Sequence, residues 1–238
     1  AASDVYKRQI KGEISEDFMK LNFGTVLFDF DGTLFDSSEG IFKSLKYAFR
    51  ADNKPEPTDE ELRRFIGPPI YDSFKSFYSY DDEKIDFMVE KYRERYRVKG
   101  LWESRAYNGI PELLKKLRDC GVKTATASSK PEQFIISILK KNNLYDYFNY
   151  VGGVTFDEIR SDKTQIIENA LKKLGSSKND AVMVGDRKFD IDGAKGAGIP
   201  CIAVLYGFGS LEEFREHKAD YIVSTPAEIE KLIILSLI

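Results

Sequence analysis

Val26-Leu27-Phe28 is an unbroken apolar run that stops at Asp29-Phe30-Asp31-Gly32-Thr33-Leu34. A short run of this kind fills a strand buried on both faces, as in a parallel sheet between helical layers. Packing gives no reason to end such a strand in carboxylates. Side chains two apart on a strand point to the same side, so regular geometry crowds Asp29 against Asp31. Like charges that close shift each other's pKa unless a cation lies between them. The competing reading is a strand edge that meets solvent, with Asp31-Gly32 as an ordinary turn.

The pattern of a strand ending in polar groups recurs. Ala181 to Val184 is a second buried-type strand, and it runs into Gly185-Asp186-Arg187-Lys188-Phe189-Asp190 and then a helix. Lys123 to Ala127 is a shorter strand candidate ending in Ser128-Ser129-Lys130-Pro131, where Pro131 suits the first turn of a following helix. A hydroxyl and free N–H groups between strand and helix can hold phosphate oxygens, although the same four residues also read as a simple helix cap. Asp162 with Gln165 fits a helix start and places Lys163 in the first turn. A cation there opposes the helix dipole, and it makes sense where an anion binds. Alone, it reads as a solvated lysine. Tyr150-Val151, Cys201 to Leu205 and Tyr221 to Val223 supply further strands. Strands alternating with helices predict an open parallel sheet, with ligands gathered beyond the carboxyl ends of its strands.

Between Asp36 and Ala106 the periodicity is helical. Ile41, Leu45 and Ala48-Phe49 mark one helix, broken by the prolines at 55 and 57. Thr58 to Glu61 reads as a capping box before Leu62, Phe65 and Ile66. Gly67-Pro68-Pro69 ends that segment. Tyr71, Phe74, Phe77 and Tyr78 mark a third helix, and Ile85, Met88-Val89, Tyr92 and Tyr96 a longer one. These aromatic stripes read first as core. Arg63, Arg64 and Lys75 are candidates to meet an anion, although exposed cations are common.

Taken in order, these motifs resemble those of the haloacid dehalogenase superfamily of phosphohydrolases. The resemblance implies a three-layer, Rossmann-like α/β core with an inserted all-helical cap. It makes Asp29 the nucleophile and Asp31 the general acid and base, and the presence of Asp31 favours phosphoryl transfer over carbon–halogen chemistry. It makes Ser128, with Ser129 beside it, and Lys163 the phosphate-binding groups. Many relatives carry Lys-Pro where this chain has Lys163-Thr164. Mg2+ is implied as cofactor, held by Asp29, Asp186 and the Asp31 carbonyl, with Asp190 behind them. Gly185-Asp186-Arg187-Lys188, the helical insert and Leu205 to Gly209 resemble the phosphoglycolate phosphatase-like branch. The division implied is 22–35 with 107–238 as core, 36–106 as cap, and 1–21 as a leader that is non-native or disordered, with a natural start near Met19. Family topology places the first strand between those ending in Ser128 and Asp186.

Composition narrows the partners. A formal net charge of -3 over 238 residues offers no basic surface for nucleic acid. No apolar run is long enough for a membrane span. Cys120 and Cys201 stand far apart without metal spacing and read as thiols of a reducing, cytoplasmic compartment. His217 is the only histidine, which disfavours histidine-dependent hydrolysis. The expectation is a monomeric phosphatase for a small phosphorylated metabolite, phosphoglycolate first. A 5'-nucleotidase, an inorganic pyrophosphatase, a beta-phosphoglucomutase-type phosphotransferase and a non-hydrolytic phospho-acceptor or binding protein are the alternatives.

Overall fold

The computed structural model describes residues 23–155 and 162–234. The leader expected at 1–21 lies outside the described residues. Six strands form one parallel sheet: β1 (Thr25–Phe28), β4 (Lys123–Pro131), β5 (Tyr150–Val154), β6 (Ala181–Gly185), β7 (Cys201–Val204) and β8 (Tyr221–Val223). Their order is β5-β4-β1-β6-β7-β8. The first strand is therefore central, between the strands that end near Ser128 and Asp186, as the family resemblance implies.

The apolar runs exist because both faces of the sheet are covered. Val26 and Phe28 point into one core layer and Leu27 into the other, and Val182 and Val184 alternate with Met183 in the same way. On the first face lie α5 (Ile110–Asp119), α6 (Glu132–Lys141) and α10 (Pro226–Ile234), through Leu113, Leu117, Ile138 and Ile229. On the second lie α7 (Lys163–Leu174), α8 (Lys188–Ala197) and α9 (Leu211–Glu216), through Ile167, Leu171, Ile191, Ala194 and Phe214. Each large side chain so buried contributes about 1.5–3 kcal/mol. The result is the expected three-layer α/β sandwich.

Between the short strands β2 (Phe35–Asp36) and β3 (Arg105–Ala106) the chain forms the helical insert: α1 (Ser38–Ala51), α2 (Asp59–Leu62), α3 (Ile70–Tyr78) and α4 (Asp82–Val98). β2 and β3 pair antiparallel, Phe35 with Ala106, and tie the two ends of the insert together. Two-residue strands carry no periodicity, so sequence gave no sign of this ribbon. The capping box forms as expected: Glu61 N–H donates to Thr58 Oγ1 at 3.3 Å, and Thr58 N–H donates to Glu61 Oε2 at 2.8 Å. Its helix is one turn long and passes into a 3-10 turn at Arg63–Phe65. The aromatic stripes pack mainly on one another, with Phe65 and Phe74 rings 5.1 Å apart and Phe49 and Tyr78 rings also 5.1 Å apart.

Of the strand boundaries that differ from the sequence reading, one bears on the site. β4 does not stop at Ala127 but continues to Pro131, with its register shifting between Ala127 and Pro131. Pro131 sits just ahead of α6 rather than in its first turn. Such an irregularity re-aims side chains at a strand end, and here it turns Ser128 and Lys130 into the site.

Candidate active site

Asp29 follows β1 directly, and its N–H extends the ladder to Val184 O at 2.9 Å. Asp186 follows β6, the next strand in the sheet. Adjacent parallel strands thus bring two carboxylates from distant sequence to one edge. Asp190, in the first turn of α8, joins them: one oxygen from each of Asp29, Asp186 and Asp190 lies within 4.8 Å of the others, and all three residues are buried. The carboxylate of Asp31 is not in this group.

One ammonium pairs with two of the three acids. Lys163 Nζ lies 3.0 Å from Asp29 Oδ1 and 2.8 Å from Asp190 Oδ1, and it donates to Ala127 O at 3.1 Å. Asp162 caps α7 by accepting from Thr164 N–H at 2.9 Å, which fixes the start of the helix that carries Lys163. Gly193 on α8 gives the lysine stem its passage, since a Cβ there would fall 2.5 Å from Lys163 Cγ. Burial works against the ammonium, yet the Asp190 and Asp29 charges hold its pKa above the ordinary lysine value. Burial pushes the Asp186 carboxyl well above the usual range, and the Asp190 and Asp29 charges add to that. Asp190 is raised by burial as well, against the pull of Lys163. Three buried carboxylates against one ammonium leave negative charge that asks for a cation. Hard oxygen donors of this kind suit Mg2+.

Both oxygens of Asp186 have fixed donors. Thr33 Oγ1 donates to Oδ1 at 3.2 Å and Phe208 N–H donates to Oδ2 at 2.8 Å. Gly32 crosses over it with φ +88, and a Cβ there would lie 2.1 Å from Asp186 Oδ2. No L side chain fits that conformation or that space.

Asp29 opens onto a cavity of about 170 Å3. Asp29, Asp31 and Ser128 line it from the core, and Pro68, Tyr71 and Tyr92 from the insert. Ser128 is buried, and its Oγ accepts from Lys130 N–H at 3.3 Å. Ser129 stands between this cavity and an adjoining one that reaches Lys163. The Gly67-Pro68-Pro69 loop borders both. Every residue expected at the site is therefore at one end of the sheet. None of the three candidate cations of the insert lines either cavity: Arg63 lies over the Phe208 ring, Arg64 over Phe77, and Lys75 pairs with Asp82.

Sequence reasoning gave no role to Thr33, Arg187 or Lys130. Arg187 Nη1 donates to Ile66 O at 2.5 Å and joins the core to the insert. Lys130 is buried with its Nζ 2.9 Å from Asp31 Oδ1. No local pattern signalled this contact of Lys130, because its partner Asp31 lies 99 residues away.

The sequence model described as haloacid dehalogenase-like hydrolase matches residues 26–204. A 5'-nucleotidase of Pseudomonas aeruginosa is 37% identical over 213 residues, covering 90% of this chain and 96% of that protein. The tyrosine-protein kinase PtkA of Mycobacterium tuberculosis is 32% identical over 207 residues, covering 87% of this chain and 70% of that one. Among solved structures, a predicted phosphatase from Clostridium acetobutylicum superposes with a TM-score of 0.85 at 39% identity, covering 88% of this chain and 97% of that chain. Strand order, motif order and the span of these matches agree: this chain belongs to the haloacid dehalogenase-like hydrolases, as one of their phosphatases.

Proposed function

We propose that the protein hydrolyses a small phosphomonoester with Mg2+, through an aspartyl phosphate on Asp29. The observation that carries this is the meeting of Asp29, Asp186 and Asp190 oxygens within 4.8 Å, with Asp29 also lining a cavity. In this reading residues 22–35 and 107–238 are the catalytic core, and residues 36–106 are a cap that closes over it.

An Asp29 oxygen attacks phosphorus in line, and the bond to the ester oxygen breaks as the Asp29–phosphorus bond forms. Asp31 gives its proton to the departing oxygen. It then takes a proton from the water that attacks the phosphoryl group, and phosphate leaves with Asp29 restored. Such acid–base assistance contributes about 10²–10⁴-fold. Lys163 and the hydroxyls of Ser128 and Ser129 hold phosphoryl oxygens, and Asp190 keeps Lys163 aimed. Asp29, Asp186 and the backbone carbonyl of Asp31 would hold Mg2+. When bound, it neutralises phosphoryl charge as a Lewis acid.

Two substrate classes have support. The Gly185-Asp186-Arg187-Lys188 motif favours phosphoglycolate. The likeness to a 5'-nucleotidase, with Tyr71, Tyr92 and Phe134 on the cavity wall, favours a nucleoside monophosphate. We take the protein to act as a cytoplasmic monomer. No helix among the described residues is long and apolar enough to cross a membrane. The test is a panel of phosphate esters with Mg2+, read by released phosphate and, for sugar phosphates, by isomerised product. Release from one class, abolished in folded Asp29→Asn protein, supports the reading. Isomerisation without release, or normal rates in the Asp29→Asn variant, refutes it.

A further inference from the structure

Lys130 is a buried ammonium that the steps above do not use. Its Nζ lies 2.9 Å from Asp31 Oδ1, 3.0 Å from Asp31 Oδ2 and 2.6 Å from Tyr96 Oη. An ammonium has three donors, and three acceptors surround this one. The stem is held as well, since Nζ stands 5.5 Å from the Phe30 ring centre and 5.0 Å from that of Tyr96. A cation over ring faces gains from their quadrupoles, more so out of water.

The arrangement joins three parts of the chain. Lys130 comes from the end of β4, Asp31 from the loop after β1, and Tyr96 from α4 of the insert. Tyr96 is itself wedged, with its ring 5.2 Å from Tyr92 and 5.6 Å from Phe134. A carboxylate at the end of a flexible loop can turn about its last bond. One bonded to a buried ammonium through both oxygens cannot turn without breaking two charge-assisted hydrogen bonds, the stronger sort. The alternative duty for Lys130, holding phosphoryl oxygens, does not fit, because the two Asp31 oxygens and Tyr96 already occupy its donors.

We infer that Lys130 is a positioning residue: it fixes the plane of the Asp31 carboxyl group for proton transfer to the leaving oxygen, and Tyr96 makes that position depend on the placement of the insert. The inference rests on the role proposed above for Asp31. It also explains why an apolar pocket of Phe30 and Tyr96 rings holds a lysine. Asp31 is the only carboxylate paired with Lys130 among the described residues.

The test compares two esters with Mg2+. An alkyl phosphate needs a proton on its departing oxygen; p-nitrophenyl phosphate leaves as a stable anion and needs none. The ratio of their kcat/KM values reports formation of the phosphoenzyme, which is where the proton is given. Lys130→Met should lower kcat/KM for the alkyl ester by about tenfold or more, and leave that for the aryl ester within about threefold. Tyr96→Phe, which keeps the ring, should move the ratio the same way by less, and Lys130→Arg should restore part of it. Equal losses on both esters would show a structural or phosphate-binding role and overturn the inference, as would an unchanged ratio. Should Lys130→Met fail to fold, the ratio in Tyr96→Phe decides alone. A wild-type protein that releases no phosphate from any ester refutes the proposed function instead, so the two failures are distinct.

Discussion

Arg187 reaches from the core to Ile66 of the insert, donating from Nη1 to the Ile66 carbonyl at 2.5 Å. Its Nε pairs with Glu213 at 3.1 Å, which braces the side chain from α9. Ile66 immediately precedes the Gly67-Pro68-Pro69 loop that borders the cavity. A charged hydrogen bond of this kind contributes about 1.5–3 kcal/mol where water is excluded, and less at a partly open seam. Arg187→Met should therefore loosen the insert more than the core. The expected outcome is faster amide exchange around residues 62–70, with KM raised several-fold and kcat changed less. Unaltered exchange there would mean that other contacts hold the insert in place.

Asp29 is one of three clustered buried carboxylates, and the lysine that pairs with two of them supplies a single positive charge, so the Asp29 charge is a burden to the fold. The raised Asp186 shows the strain: burial comes first, and the Asp190 and Asp29 charges follow. Asp29→Asn removes one charge and keeps the shape. We expect the metal-free variant to melt at or above the wild-type temperature while turnover is lost. For a chain of this length each kcal/mol shifts Tm by about 2–4 °C. A fall of many degrees would show that the Lys163–Asp29 pair outweighs the repulsion.

Lys163 presents the reverse case. Lys163→Met leaves Asp29 and Asp190 buried without their shared cation, and breaking a buried pair this way costs about 3–5 kcal/mol. Added Mg2+ should recover part of the lost Tm, because a divalent ion at the same acids replaces some of the missing positive charge. For comparison, a ligand at a hundred times its Kd stabilises a protein by about 2.7 kcal/mol. Thermal melts with and without Mg2+, for wild type, Lys163→Met and Asp186→Asn, check this. The Mg2+ shift should be smallest in Asp186→Asn, which lacks a proposed metal ligand. An equal shift in all three would place the ion elsewhere.

The sheet was legible where strands buried on both faces read as continuous apolar runs, as β1, β6 and β7 do. The site was legible where a carboxylate ended such a run, as at Asp29 and Asp186, since packing alone never asks for one there. Lys163 and Ser128 had weaker local signals, each shared with ordinary helix starts, and motif order made the difference. The contacts of Lys130 and Arg187 could not be read at all. Each depends on a residue far along the chain, Asp31 and Tyr96 in one case and Ile66 in the other, and no local period encodes such a meeting. The extension of β4 to Pro131 was hidden for a similar reason. Its last pairing, Pro131 with Val154, is set by the neighbouring strand, while the proline itself reads as the start of a helix.

Gly32 offers a test of the site's tightness that removes no charged group. It sits at φ +88 directly above Asp186, and the space a methyl would need is filled by Oδ2 of that carboxylate. Gly32→Ala therefore meets two penalties: a backbone conformation that costs about 1–3 kcal/mol for other residues, and a clash with the acid. Either the loop or Asp186 must shift. A shift of Asp186 breaks its hydrogen bonds from Thr33 and Phe208 and spoils its place beside Asp29. The expected outcome is a fall in Tm together with a higher Mg2+ concentration for half-maximal activity. Thr33→Val, which removes the donor to Asp186 Oδ1 but leaves the backbone relaxed, should raise the Mg2+ requirement with a smaller loss of Tm. If both variants lose stability but keep the wild-type Mg2+ requirement, Asp186 does not hold the ion.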